Sequence, residues 1–236
     1  MKDENIQISI AAPLDLHPAV FDAIAGLTDD TRQFTAGAAG AFQSAVEGLT
    51  AIAELRTLAA SNPTLTPEAR ILQVSEFADR KVAGVHKKID EADSILKRQI
   101  SFTEAELQKP LEATVHSTSA SEIRALARAM TRAERTKLIS GAITSNDMTI
   151  LSSMLAAHPL LSGLTPLERD MFTRRFRETS QPGLAQRLAV MVKAKEILND
   201  RSGLVMKRAQ ELIGADRSKV AALRAAHAKF STAMAK

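Results

Sequence analysis

TPEARILQVSEFADRKVAGVHKKIDEADSILKRQI, residues 66–100, decides the fold class. Its apolar positions are Ile71, Val74, Ala78, Val82, Val85, Ile89, Ala92, Leu96 and Ile100, always three or four residues apart. The mean step of about 3.6 is the period of a straight amphipathic helix, not the 3.5 of a sustained supercoil. Charge fills the opposite face, with Arg80-Lys81, Lys87-Lys88, Asp90-Glu91 and Lys97-Arg98. Thr66 as N-cap, Pro67 at the first helical position and Glu68 in the first turn mark its start. Pro110 is expected to kink or end it. A helix of about 45 residues extends roughly 65 Å at 1.5 Å per residue. That length exceeds the needs of a compact single domain and points to an assembly.

Upstream, TAGAAGAFQSAVEGLTAIAELRTL (35–58) reads as a helix rich in small residues, ended by Ser61-Asn62-Pro63. Glycine inside a helix costs about 1 kcal/mol relative to alanine. Gly37, Gly40 and Gly48 are therefore expected to form a packing face where a neighbouring helix approaches closely. Phe21, Ile24 and Leu27 form a short apolar set before it, and Asp29-Asp30 can cap or begin a helix. Ile6, Ile8 and Ile10 alternate with polar residues, as in a short strand, before Pro13 and Pro18. Residues 1–18 are read as an extended arm that either covers its own core or adds to another chain's sheet edge.

Downstream, Ser117 to Ser121 is a polar break, and Ser119 with Glu122 has capping-box spacing. Three shorter helices are expected at 120–143, 146–157 and 166–179. The last of them opens at Thr165-Pro166-Leu167-Glu168 and breaks at Gln181-Pro182-Gly183. Residues 183–235 read as two helices, with a bend near Gly203, a break near Gly214 and Asp216 as a new cap. The second continues one face through Val220, Leu223, His227, Phe230 and Met234. The expected fold is all-α: an elongated multi-helix bundle with one long central helix and a short extended N-terminal arm. Its divisions are the arm at 1–18, a long helical hairpin at 19–118 and a C-terminal helical bundle at 119–236.

Composition agrees with helix and narrows function. Aromatic residues are 3% of the chain, all of them Phe, and there is no Trp or Tyr. Sheets favour aromatic and β-branched residues, whereas helices favour Ala, Leu, Met, Lys, Arg and Glu. Cys is absent, which excludes disulfides and thiolate metal sites. No signal-peptide core opens the sequence, and no apolar run reaches the 18 to 20 residues of a membrane span. The expected location is a virion or a host cytoplasm. His17, His86, His116, His158 and His227 show no metal-ligand spacing, and no phosphate loop, dinucleotide fingerprint or nucleophile elbow occurs. The expectation is a protein with no enzymatic activity and no cofactor.

Net charge is +4 but unevenly spread: residues 1–64 hold 3 basic and 8 acidic side chains, residues 165–236 hold 15 and 7. Arg124, Arg128, Arg132 and Arg135 follow one another at steps of 4, 4 and 3, which on one continuous helix places all four on one face. Such a face suits phosphate, or the acidic segment of a partner, or simply solvent and its own acidic neighbours. Without aromatic platforms it does not suit base-by-base binding of single strands. A helix-turn-helix reading of 120–157 fails, because the second helix, 147–157, is apolar and lacks basic residues.

Residues 120–164, ASEIRALARAMTRAERTKLISGAITSNDMTILSSMLAAHPLLSGL, resemble a helical segment in poorly characterised proteins of tailed bacteriophages. The similar pieces are Glu134-Arg135, the turn from Ile143 to Asp147 and the stretch from Leu155 to Leu164. The resemblance implies a phage-encoded protein, a virion component, and assigns no catalytic residue. The leading expectation is a structural, oligomer-forming protein such as a head–tail adaptor or an internal or tail-associated protein. Its partners would be copies of itself and other helical structural proteins, with acidic and basic ends meeting head-to-tail. The alternative is a nucleic-acid-associated protein that contacts backbone phosphates through the basic C-terminal half. A small helical enzyme with a discontinuous site is the third class.

Overall fold

A computed structural model describes residues 12–112 and 118–234. They are helical nearly throughout and contain no strand, so the fold is all-α. Two short 3-10 turns, Leu14–Leu16 and Pro18–Phe21, come first. Ten helices follow: α1 Asp29–Arg32, α2 Ala36–Ser61, α3 Pro67–Glu112, α4 Thr118–Ala129, α5 Arg132–Ser145, α6 Met148–Leu151, α7 Pro159–Ser162, α8 Pro166–Ser180, α9 Pro182–Ile213 and α10 Arg217–Met234. α6 runs directly into a π-helical turn, Ser152–Ala156.

The chain divides into two compact units, Met1–Lys97 with Val190–Lys236, and Arg98–Ala189. This replaces the expected division into a hairpin at 19–118 and a bundle at 119–236. The sequence-distant end returns to the first unit because α9 buries Val190, Met191, Ala194 and Leu198 there.

In the first unit the stripe of α3 is a core stripe. Val74, Ala78, Val82, Val85, Ile89, Ala92 and Leu96 are all at most 5% exposed. Thr66 caps α3 by accepting the backbone N–H of Ala69 at 3.2 Å. The helix passes through Pro110 and is described as far as Glu112. α2 buries Ala38, Ala41, Phe42, Ala45, Leu49 and Ile52. Only one of the three glycines read as packing positions lies on this side. A Cβ on Gly48 would stand 3.3 Å from Val85 Cγ2 of α3, whereas one on Gly37 or Gly40 meets nothing within 4 Å. Gly37 and Gly40 are solvent-facing, and the small residues that α2 buries are Ala38, Ala41, Ala45, Gly48 and Ala59.

Residues 12–18 are not an extended arm. The two 3-10 turns pack on α2, Leu16 and Phe21 are buried, and the Phe21 and Phe42 rings lie 5.1 Å apart. The alternating isoleucines at 6, 8 and 10 fall outside the described residues.

Charge is matched within this unit as well. Arg201 of α9 donates to the Asp15 carbonyl at 3.1 Å and approaches its carboxylate at 3.3 Å, and Arg224 of α10 pairs with Asp79 of α3 at 2.5 Å. At these contacts the basic C-terminal segment meets acidic residues of its own chain. α9 runs unbroken through Gly203 and ends at Gly214, whose φ of 73° favours a residue without Cβ. Asp216 recaps α10, accepting the Lys219 N–H at 2.7 Å.

The second unit has shorter helices around one cluster, with Leu111, Ile139, Leu151, Met154, Phe172 and Phe176 at its centre. Two expected helices are subdivided. The segment 120–143 breaks at Met130-Thr131, and 146–157 becomes α6 plus the π turn. Ser119 lies inside α4 rather than capping it. Residues 151–155 are all buried, a run that a regular helix face of period 3.6 does not provide, and the wider π turn accommodates it. The hydroxyls of Ser152 and Ser153 there donate to the carbonyls of Met148 and Thr149.

Candidate functional site

The four arginines do not form one helical face. Arg124 and Arg128 lie on α4, Arg132 and Arg135 on α5, and the chain turns between them. The turn is made by a capping box that the sequence displays as Thr131-Arg132-Ala133-Glu134. Thr131 Oγ1 accepts the Glu134 N–H at 3.3 Å, and Glu134 Oε2 accepts the Thr131 N–H at 2.8 Å. The Thr131 hydroxyl and N–H hold the Glu134 carboxyl below its ordinary range.

Three of the arginines then serve the chain's own backbone and carboxylates. Arg135 Nη1 donates to the carbonyls of Met130 and Ala127, at 2.5 and 3.2 Å, and so satisfies the open end of α4. Arg128 Nη1 donates to the Leu161 carbonyl at 2.8 Å. Beside it Gly163 has φ 67°, and a Cβ there would meet Arg128 Cγ at 3.4 Å. Arg132 Nε donates to Glu168 Oε1 at 2.6 Å. Arg124 is half-buried on α4.

Glu168 joins two of these devices. One oxygen accepts Arg132, while the other accepts the Thr165 N–H and hydroxyl, both at 2.9 Å, and caps α8. Its carboxyl is held below the usual range first by the Thr165 N–H, then by the Thr165 hydroxyl, with Arg132 adding to the effect. The Thr165–Glu168 spacing was legible as a cap. Its link to Arg132 was not, because 36 residues separate the partners.

A cavity of about 310 Å³ lies elsewhere in this unit, between α8, the π turn and Gln108 of α3. Arg169, Thr173 and Arg177 stand at successive steps of four on the lining face of α8. Arg174 and Asp170 complete that side, and Leu155 and Ala156 of the π turn form an apolar wall. Arg177 Nη2 donates to Gln108 Oε1 at 3.2 Å, Arg174 pairs with Glu178 at 2.8 Å and Arg169 approaches Asp170 at 3.3 Å. Thr173 Oγ1 and Arg177 Nε are buried without a hydrogen-bond partner.

The last feature is α10. Val220 is buried and Leu223 and Arg224 are partly so, but every residue from Ala225 to Met234 is exposed. Phe230 and Met234, continuing the apolar face, are 61% and 73% exposed.

Among the described residues no group of three His, Asp or Glu could hold a metal ion, and no helix is long and apolar enough to cross a membrane. What the geometry defines is an all-α protein of two units. The chain matches no family model, no curated protein and no solved structure.

Proposed function

We propose that this chain is a structural, oligomer-forming helical protein, and that the free face of α10 is where copies or other helical proteins join. The observation that carries the reading is the ten exposed residues at the end of α10, with Phe230 and Met234 on an apolar face that nothing among the described residues covers. A helical segment of this length without tertiary contacts is marginal in water, because most helix stability in proteins comes from packing an amphipathic face. A partner helix supplies that packing. Exposed Leu160, Leu161 and Leu167 in the second unit add apolar surface of the same kind. Asp15 and Asp79 are already paired within the chain, so in a head-to-tail meeting of acidic and basic ends other acidic residues of the N-terminal half face the neighbour.

A bacteriophage particle is the setting we infer from the resemblance at 120–164, with the chain as a head–tail adaptor or an internal or tail-associated component. Location in a virion or a host cytoplasm follows from that inference. An elongated bundle organised on α3 belongs to the same proposal, and small-angle scattering of the full chain tests it. No catalytic role is part of the reading.

Association with nucleic acid is the second reading. α10 favours it, because Arg217, Lys219 and Lys229 lie on a helix that carries no carboxylate of its own. Sedimentation velocity of the full chain and of a chain ending at Arg224, each with and without a short DNA duplex, separates the two. Assembly predicts a mass that rises with concentration, lost on truncation while circular dichroism and melting stay unchanged. A full chain that remains monomeric at high concentration overturns it, and a monomer that binds duplex favours the second reading.

A further inference from the structure

We propose that the arginine-lined cavity of the second unit binds a small phosphomonoester, a role separate from assembly through α10. Three guanidiniums line it, but Arg169 approaches Asp170 and Arg174 is paired with Glu178, which leaves a balance of one positive charge. A phosphate ester, anionic near pH 7, supplies negative charge at Arg177, whose described side-chain partner is the neutral Gln108.

The unpartnered atoms point the same way. Thr173 Oγ1 and Arg177 Nε are both buried and both able to donate, and leaving a buried donor unmade is unfavourable, more so for a charged group. Arg177 is already fixed by Gln108, so its Nε is held ready rather than free to swing to solvent. Phosphate oxygens accept from guanidinium and hydroxyl at once, and bonds to a charged acceptor are the strong ones. The apolar wall of Leu155 and Ala156 gives the carbon skeleton of the ester a surface. At about 310 Å³ the space exceeds a bare ion and stands at the lower end of small-molecule sites. The adjoining π turn is also a type of backbone that recurs at functional sites.

The test is calorimetry of the full chain with glycerol 3-phosphate, inorganic phosphate, acetate and a short DNA duplex. The expected result is one glycerol 3-phosphate per chain, bound more tightly than inorganic phosphate, with acetate silent. Arg177→Gln should weaken it about tenfold or more, the equivalent of one lost charge-assisted hydrogen bond. Thr173→Val should weaken it severalfold. It is close in shape and carries the test alone if Arg177→Gln loses helical signal. Arg175→Gln, an exposed arginine of the same helix outside the lining, should leave binding unchanged. No binding of glycerol 3-phosphate, equal binding of acetate, or an affinity indifferent to both lining variants overturns the proposal. Duplex binding that depends on Arg177 without glycerol 3-phosphate binding also overturns it, in favour of a backbone-phosphate site.

Discussion

The α2–α3 pair of the first unit and the α4–α8 region of the second solve the same problem differently. α2 and α3 are long, so their unpaired ends are a small part of their backbone, and a stripe of aliphatic residues does the rest. α4 to α8 are short, none longer than 15 residues, and nearly every turn has an end to satisfy. That region assigns arginine, threonine and glutamate to the task. Its basic character is thus partly a structural requirement, which charge alone does not reveal.

The sharpest way to break this comparison is through the two cores. Phe172→Ala should destabilise the second unit by about 3–5 kcal/mol. Native-state hydrogen exchange should show the loss concentrated between residues 118 and 180, with amides of α2 retaining protection. Equal loss in α2 would mean that the two regions do not stand apart energetically.

Next comes the capping arginine. Arg135→Gln removes the guanidinium from the Met130 carbonyl and leaves the Ala127 carbonyl with only the Met130 N–H, and should cost about 1.5–3 kcal/mol in a denaturant titration. Arg175→Gln, on the exposed side of α8, should change stability little. If the two variants behave alike, the arginines of α4 and α5 are an ordinary solvated surface.

The glycines sharpen the first-unit side. Gly48→Leu drives a side chain against Val85 and should cost about 1–3 kcal/mol by overpacking. Gly40→Ala has open space and should raise the melting temperature, by up to about 1 kcal/mol of helix propensity. A Gly40→Ala protein that melts lower than the parent would restore a packing role for that face.

The smallest effect concerns Glu168. Its carboxyl is lowered from an ordinary 4.5, so its contribution is fully present above that value and is lost as pH falls through the lower folded value. Glu168→Gln should be less stable than the parent at pH 7 by about 1 kcal/mol or less, given that Arg132 is largely exposed. The gap should close on acidification below 4.5. A gap that is constant with pH would show that the ion pair and cap do not act through ionisation.

Much of this was legible from particular residues. The α3 stripe, the cap at Thr66 and the stops at Ser61 and Gly214 depend on chain-local rules, so spacing and residue type suffice. The Met130-Thr131 break was legible too, since Thr131 and Glu134 have capping-box spacing, but an unbroken run of helix formers masked it. The cavity was not legible. Its α8 face repeats every four residues, yet Gln108 and the π turn that complete it are remote in sequence.

The sequence by itself determined that this protein is helical, where α2 ends, where α3 begins and where α9 gives way to α10, because periodicity and capping act within a few residues. Only the tertiary structure decided which charges are left for a partner. Asp15 and Asp79 are matched by Arg201 and Arg224, and Arg128, Arg132 and Arg135 are matched inside the second unit. An arginine's availability depends on which carbonyl or carboxylate folding brings within about 3 Å of it, and residues dozens of positions away set that distance.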